Sequence, residues 1–447
     1  MKKKILIITT AFAPKNVIGA IRITKLVKYL ERLDYDITVI SPELDEYTKI
    51  DKSLLSKEID VVKKHTISQS DWFVKMFLKK RNVMLQKQSA SNYMTKKQNE
   101  NILKSLKALL FTYLQFIYTI IRNLDWKKNV ISFIKENYVE GEFDFVLSSY
   151  PALGDHWAAN WVRKNKFANT WFADFRDPIN YETNSTWLKL KINTSFQNRI
   201  LSQTDYATCI SKDLFKKFNS KYHYKLKFLP NGFDTDDLDK DLLVNNSVPS
   251  NVLTFCYVGS LYGGTRSLKS FFKGLKYLIE QEDNIDVNSF KLVYAGSEFN
   301  ELYKQASQFN LTEILEDRGR VSRTESISIQ NTSDMIIVVT WNTIKDQGIL
   351  TGKLFECFLT QKTILGIVNG NLPNSEFKNI IHEVDGGFAF EDASLDYDLD
   401  FKKLTNFIYD KFKEKNEFGI LKNSYNNKLE NFDYKNITKK LVSFIND

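Results

Sequence analysis

Three cysteines in 447 residues, Cys209, Cys256 and Cys357, are too few and too scattered for a disulfide framework or a thiolate metal cluster. A chain without such staples suits a reducing compartment. Long apolar runs are missing as well. The charge-free stretch from Ala108 to Ile121 has 14 residues, below the roughly 17–25 that a bilayer span requires. At the start, Met1-Lys-Lys-Lys-Ile-Leu-Ile-Ile offers an apolar run of about four to five residues, short of the roughly 7–15 of a signal core. It reads instead as a buried strand with a basic lead-in. No short internal repeat is visible, which excludes repeat architectures. The turn after the first strand holds one glycine, Gly19, and not a glycine-rich dinucleotide fingerprint.

What is present is an ordinary globular composition, 43% apolar and 26% charged, at a length that implies two or three domains. The charge is unevenly placed. Between Asp71 and Lys135 stand 13 Lys and Arg against 3 Asp and Glu, a net of +10, whereas the whole chain carries +9. A balanced protein therefore has one basic segment inserted into it, and such a segment implies an anionic partner.

Short buried strands at 5–8 and 37–40 flank a helical pattern set by Ile21, Leu26, Tyr29, Leu30 and Leu33. That is a βαβ unit, the signature of parallel sheet. The alternation resumes with a strand from Phe143, a helix over 154–166, a strand from Thr170, a helix near 187–203 and a strand from Tyr206. Residues 234–251 are polar and aperiodic and read as a linker. A second series follows: strands from Leu253, Lys291, Met335 and Thr363, with helices at 267–280, 298–308 and 351–360. The expected fold is α/β, two Rossmann-like doubly wound domains at 1–235 and 236–425, with a C-terminal helix at 426–447.

The segment at about 71–135 is a helical insertion in the first domain. Ala108, Thr112, Gln115, Thr119 and Arg122 form a narrow polar stripe, and Leu, Ile, Phe and Tyr fill the rest of the helix. Upstream, aromatics from Trp72 to Phe77 mix with Lys75, Lys79, Lys80 and Arg81. A basic, aromatic helix of this kind lies in a membrane interface; the competing expectation is a helix that roofs the first sheet.

Three constellations carry chemistry. Gly19 stands where the first strand turns into its helix, with Arg22 one turn on, so a ligand anion can approach backbone amides at a helix N-terminus. His156 follows the strand from Phe143, and Asp174, Arg176 and Asp177 follow the strand from Thr170. Both groups lie at strand C-terminal ends, where open α/β sheets bind ligands. The third is Gly348-Ile-Leu-Thr-Gly-Lys-Leu-Phe-Glu. Thr351 and Gly352 open a helix that exposes N–H groups to a diphosphate, Lys353 adds a point charge, and Glu356 stands one turn on, where a carboxylate accepts ribose hydroxyls. The glycine-rich loop Val258-Gly259-Ser260 to Arg266 is its partner.

These segments resemble the bacterial glycosyltransferase family 4. The donor-site signature around Gly348–Glu356 is joined, in the family's order, by Ala173-Asp-Phe-Arg-Asp-Pro, Pro151 with His156, Pro230-Asn-Gly-Phe-Asp and Val258-Gly-Ser. The resemblance spans nearly the whole chain apart from about 45–140. It implies a GT-B fold, two Rossmann-like domains facing a cleft, with the donor held by the C-terminal half and the C-terminal helix at 426–447 crossing back to the first domain. It also implies retention of anomeric configuration, no metal ion and no cofactor beyond a nucleotide-sugar donor, expected to be UDP-linked. By position, Glu356 would hold the ribose, while Arg266, Lys353 and the Thr351–Gly352 amides would hold the diphosphate, next to Gly259 and Ser260. Val321 would meet the base, His156 the transferred sugar, and Gly19 the phosphates. Asp174, Arg176, Asp177 and Arg22 are the candidates for the sugar or acceptor side. Two departures stand out: Gly348 occupies a place where many relatives carry a sugar-contacting Glu, and Ser260 the place of a basic residue.

The expected function is hexosyl or N-acetylhexosaminyl transfer to a glycan or polyprenyl-linked acceptor in bacterial surface polysaccharide synthesis. The expected location is the inner face of the cell membrane, in peripheral contact with anionic lipid, with no nucleic-acid partner. The rival readings are a GT-B-fold sugar-nucleotide epimerase, which would need a carboxylate pair, and an inactive scaffold of a polysaccharide-assembly complex.

Overall fold

The structure is a computed structural model that describes residues 2–44, 46, 48–69, 102–180, 186–237, 251–422 and 425–446. The basic aromatic run at 71–81 and most of the 234–251 linker lie outside the described residues. The chain divides into two compact units. Unit 1 is Met1–Cys209 with Lys217–Lys227, and unit 2 is Ile210–Lys216 with Phe228–Asp447.

In unit 1, β1 (Lys4–Ile8), β2 (Asp36–Pro42), β3 (Lys63–Ile67), β4 (Phe143–Ser149), β5 (Ala168–Arg176), β6 (Tyr206–Cys209) and β7 (Leu226–Phe228) form a sheet of order β3-β2-β1-β4-β5-β6-β7. The pairings from β3 through β6 are parallel. Ile5, Leu6, Ile7 and Ile8 are all fully buried, as expected of a strand covered on both faces. The order reverses between β1 and β4, the switch point at which doubly wound sheets open a ligand crevice. Helix α1 (Ile18–Arg32) follows β1; the later helices α2 (Lys57–Val61), α3 (Ile102–Asn137), α4 (Leu153–Lys164) and α5 (Trp187–Gln203) complete the unit.

Helix α3 behaves differently along its length. Its C-terminal half roofs the unit: Trp126, Val130 and Ile134 are fully buried. The Asn123 side chain accepts from Gly154 N at 2.7 Å, at the start of α4. Trp126 Nε1 donates to Asp155 at 2.7 Å, and Thr10 N at the end of β1 donates to the same carboxylate at 2.9 Å. Burial pushes the Asp155 carboxyl up to about 8. The N-terminal half turns Leu110, Leu114, Ile117, Ile121 and Leu124 to solvent, a four-three-four-three seam on one helical face. The polar stripe at Thr112, Gln115 and Thr119 is rotated away from that seam. The expectation of a helix that roofs the first sheet thus describes its C-terminal half. Among the described residues no helix is long and apolar enough to cross a membrane.

In unit 2, β8 (Leu253–Val258), β9 (Phe290–Ala295), β10 (Leu315–Asp317), β11 (Met335–Asn342), β12 (Thr363–Gly370) and β13 (Gly387–Glu391) form a parallel sheet of order β10-β9-β8-β11-β12-β13. That order reproduces the topology of the first sheet, with its switch point between β8 and β11. The helices are α6 (Lys269–Gln281), α7 (Phe299–Ser307), α8 (Arg323–Thr332), α9 (Gly352–Thr360), α10 (Glu376–Glu383), α11 (Tyr397–Phe418) and α12 (Tyr434–Asn446). The C-terminal segment is stitched to the chain at Phe233: Phe233 N donates to Phe432 O and Tyr434 N to Phe233 O, each at 2.9 Å. Phe432 packs with Phe355 and Phe358 of α9 in the core of unit 2.

Candidate functional site

The second sheet splits where its order reverses. Strands β8 and β11 pair only at Met335–Phe255 and Ile336–Cys256, and beyond that point they diverge toward their C-terminal ends. The crevice so opened is lined by Tyr257, Val258, Arg266, Val338, Val339, Thr351 and Lys353, and encloses only about 10 Å³. That is room for one water and nothing larger.

Helix α9 begins at the mouth of that crevice. Its N-cap Thr351 makes no capping hydrogen bond, and the Thr351 hydroxyl is buried without a partner. A first turn without a side-chain cap leaves N–H groups directed outward, where the helix dipole favours an anion. Lys353 Nζ reaches Glu356 Oε2 at 2.6 Å. The other oxygen, Glu356 Oε1, lies 3.8 Å from Arg323 Nε, and Arg323 also bonds Asp237 at 2.9 Å. Glu356 is thus held between two cations on neighbouring helices. Val321 sits two residues before Arg323, in the loop that enters α8.

Arg266 guards the other wall. It is 9% exposed, its Nη1 donates to Ser260 O at 3.3 Å, and its buried Nε has no partner. The guanidinium lies 4.6 Å from the Tyr262 ring centre and 5.6 Å from that of Trp341. The loop before it carries consecutive left-handed residues, Tyr262, Gly263 and Gly264, a conformation that points successive N–H groups into one concavity. A carboxylate already fills that concavity. Glu298 accepts from Leu261 N and Gly263 N at 2.7 Å, from Tyr262 N at 3.2 Å, and from the Ser260 hydroxyl. The Ser260 hydroxyl and these amides hold the Glu298 carboxyl below its ordinary range. Gly259 N is taken by Ala295 O at 2.9 Å. What this loop offers to the crevice is therefore the Arg266 side chain more than its amides.

In unit 1 the candidate residues fall into two sets. Arg22 and Asp174 form a buried bidentate pair, Nε–Oδ2 and Nη2–Oδ1 both 3.0 Å, at 0% and 1% exposure. Asp174 also accepts from Ser149 at 3.0 Å and Thr208 at 2.7 Å. Burial pushes the Asp174 carboxyl up, but Arg22 more than offsets this and holds it below the usual range. The second set faces outward. Arg176 has a left-handed backbone with φ 54°, strain of a kind concentrated at functional sites. Its buried Nε has no partner, and its guanidinium rests against Gly19, where a Cβ would collide with it. Asp177 is half-buried, and burial raises its carboxyl.

His156 is fully buried. Trp171 Nε1 donates to Ser148 Oγ at 2.8 Å, and Ser148 Oγ lies 2.8 Å from His156 Nδ1. The serine accepts from tryptophan, and the Nδ1 contact fits either tautomer of the imidazole. Nε2 is buried with no partner, and burial lowers the ring's pKa to about 4. The histidine is neutral at physiological pH.

With these geometries in place, comparison with solved structures becomes informative. The sucrose-phosphate synthase of Thermosynechococcus elongatus superposes with a TM-score of 0.58 at 10% identity, over 100% of this chain and 98% of that one. The lipopolysaccharide outer core galactosyltransferase WaaB, in its apo form, gives 0.56 at 12%, over 99% of each chain. A glycosyltransferase from Rickettsia africae ESF-5 gives 0.54 at 15%, over 99% and 98%. The fold is GT-B. No family model matches the sequence, and no curated protein matches it in a sequence search.

Of the residues singled out from the sequence, Arg266, Thr351 and Lys353 line one crevice, and Gly352 and Glu356 stand on the helix that begins there. Sequence reasoning missed Glu298, Arg323 and the Tyr262–Trp341 pair. Glu298 is 35 residues from the last amide it caps, and an isolated Glu after a strand carries no local signal. Arg323 stands 33 residues from Glu356 in the chain, and no local pattern joins the two.

Proposed function

We propose that this chain is a glycosyltransferase that takes its sugar from a nucleoside diphosphate held by unit 2. The observation that supports this reading best is the convergence of Arg266, Lys353 and the uncapped α9 N-terminus on the split between β8 and β11. A diphosphate leaving group accumulates charge as the anomeric C–O bond breaks, and preorganised cations and amides stabilise that charge. Glu356 takes the ribose hydroxyls, Val321 meets the base through its backbone, and UDP is the nucleotide. In unit 1, His156 is assigned to the sugar, and Gly19, Arg176 and Asp177 to the phosphate and acceptor side. The acceptor hydroxyl bonds to the anomeric carbon as the diphosphate departs, and its proton passes to a β-phosphate oxygen. Configuration is retained and no metal is needed. The acceptor is a glycan or polyprenyl-linked saccharide in bacterial surface glycoconjugate synthesis.

Glu356→Ala tests the donor assignment. Loss of charge-assisted hydrogen bonds to a ribose is expected to weaken UDP binding by about 1.5–3 kcal/mol, read by isothermal titration. The fold should persist, since α9 readily accommodates Ala. Unchanged affinity removes Glu356 from the site.

The exposed seam of α3 supports a peripheral membrane contact at the cytoplasmic face. Trp187 at the start of α5 is also exposed, and Tyr113 of α3 bonds Thr186 beside it at 2.9 Å. The protein is expected to sediment with anionic liposomes, and Leu114→Ser/Ile117→Ser/Ile121→Ser to lose most of that association. Each buried methylene contributes about 0.8 kcal/mol, so three aliphatic side chains outweigh any single surface charge. Sedimentation unaffected by the triple variant excludes the seam as the contact.

A further inference from the structure

A second pocket in unit 2 has a chemistry unlike the donor crevice. It encloses about 580 Å³ and is walled by the stretch Phe228–Pro230, by α10 and by α12, within the usual 300–1,000 Å³ of small-ligand sites. Lys212 and Lys440 both stand over the Phe228 ring, each Nζ 5.2 Å from its centre. Neither ammonium has a carboxylate partner among the described residues.

The acidic groups on the wall do not neutralise them. Glu376 is spent on the chain: it accepts from Ser211 Oγ at 2.5 Å, Lys212 N at 2.9 Å and Asp213 N at 3.0 Å. Glu383 remains, together with the Asn379 and Asn431 side-chain amides, which make no hydrogen bond among the described residues. Burial and the nearby Lys212 lower the Lys440 pKa, so the two like charges are held together at a cost that a bound anion would remove. Two ammoniums around one ring suit a phosphate, for which lysine acts as a point charge. One carboxylate and two amides suit hydroxyl groups. A nucleobase finds no stacking platform, because the ammoniums cover Phe228 and Phe432 is buried.

We propose that this pocket binds a phosphorylated saccharide, at a site separate from the nucleotide crevice. The phosphate lies between Lys212 and Lys440, and the sugar hydroxyls meet Glu383, Asn379 and Asn431. This inference does not depend on the donor assignment.

Titration calorimetry of the full chain with glucose 1-phosphate, inorganic phosphate and glucose tests it. Glucose 1-phosphate is expected to bind, inorganic phosphate at least tenfold more weakly, and glucose not measurably. Lys212→Gln/Lys440→Gln should weaken glucose 1-phosphate about a hundredfold, tenfold for each lost charge-assisted contact, with UDP affinity unchanged. Asn379→Ala, at an exposed helix position, should weaken glucose 1-phosphate by removing a contact to the sugar hydroxyls while leaving inorganic phosphate unaffected. Absence of binding to the wild type, binding undiminished in both variants, or displacement by UDP each overturns the proposal. Inorganic phosphate as tight as the sugar phosphate overturns the saccharide. A wild type that binds glucose 1-phosphate but not UDP would leave this pocket standing and remove the donor site.

Discussion

Lys353→Ala and Arg266→Ala are each expected to lower kcat by about 10²–10³ while changing UDP affinity by less than tenfold. The asymmetry follows from where the charge appears. In the bound donor the diphosphate charge is spread over both phosphates and shared with the amides of the α9 N-terminus. As the anomeric bond breaks, further charge collects on the β-phosphate, and a cation already in position gains most at that moment. Arg266 is held there by its bond to Ser260 O and by the Tyr262 and Trp341 rings, so little reorganisation is needed. Lys353 is different. Its ammonium bonds Glu356 at 2.6 Å, and the donor must draw it from that pair or share it. Lys353→Ala therefore also releases Glu356 toward Arg323 alone, which partly offsets the binding loss and leaves the deficit in turnover. Initial rates of sugar transfer or donor hydrolysis, paired with calorimetric UDP affinities, separate the two. Equal losses in kcat/KM and in affinity, with kcat intact, would mean uniform binding and no catalytic role. The same assays with EDTA should show full turnover; loss on chelation and recovery with Mg²⁺ or Mn²⁺ would overturn the metal-free mechanism.

Much of this architecture is legible in the sequence, because its signals are local. The wholly apolar Ile5–Ile8 run marks a doubly covered strand, and the helix read near 187–203 is observed as Trp187–Gln203. Short edge strands such as Leu315–Asp317 were missed, since three residues show no period. What the sequence hides are relations across distance. The split between β8 and β11 depends on register, and no residue type announces it. The loop after Gly259 reads as a phosphate cradle, which its backbone is built to be, yet Glu298 from another turn occupies it. Helix α3 carries apolar residues around most of its circumference, so its pattern could not show that Trp126 is buried and Ile121 is not. Gly19 was read as an opening for a ligand, and in the structure its missing Cβ makes room for Arg176.

Arg22→Met should destabilise the protein by about 3–5 kcal/mol, the cost of leaving a buried carboxylate without its cation. Asp174 sits at 1% exposure, and the hydroxyls of Ser149 and Thr208 alone do not replace a bidentate guanidinium. At roughly 2–4 °C per kcal/mol for a unit of this size, the melting midpoint should fall by about 10 °C. The pH dependence supplies an independent check. Arg22 lowers the folded-state pKa of Asp174, so the pair's contribution is present above the unfolded carboxylate pKa of about 4 and is lost as pH falls through the folded value. In Arg22→Met burial acts on the carboxyl without that offset, so the gap from wild type should begin to narrow as pH falls toward about 4 and narrow further below it. Arg22→Met/Asp174→Leu should recover much of the loss, because removing both charges also removes both desolvation penalties. These expectations make the pair a structural pillar of unit 1. A melt within about 1 kcal/mol of wild type for Arg22→Met, with transfer abolished, would return Arg22 and Asp174 to the acceptor side.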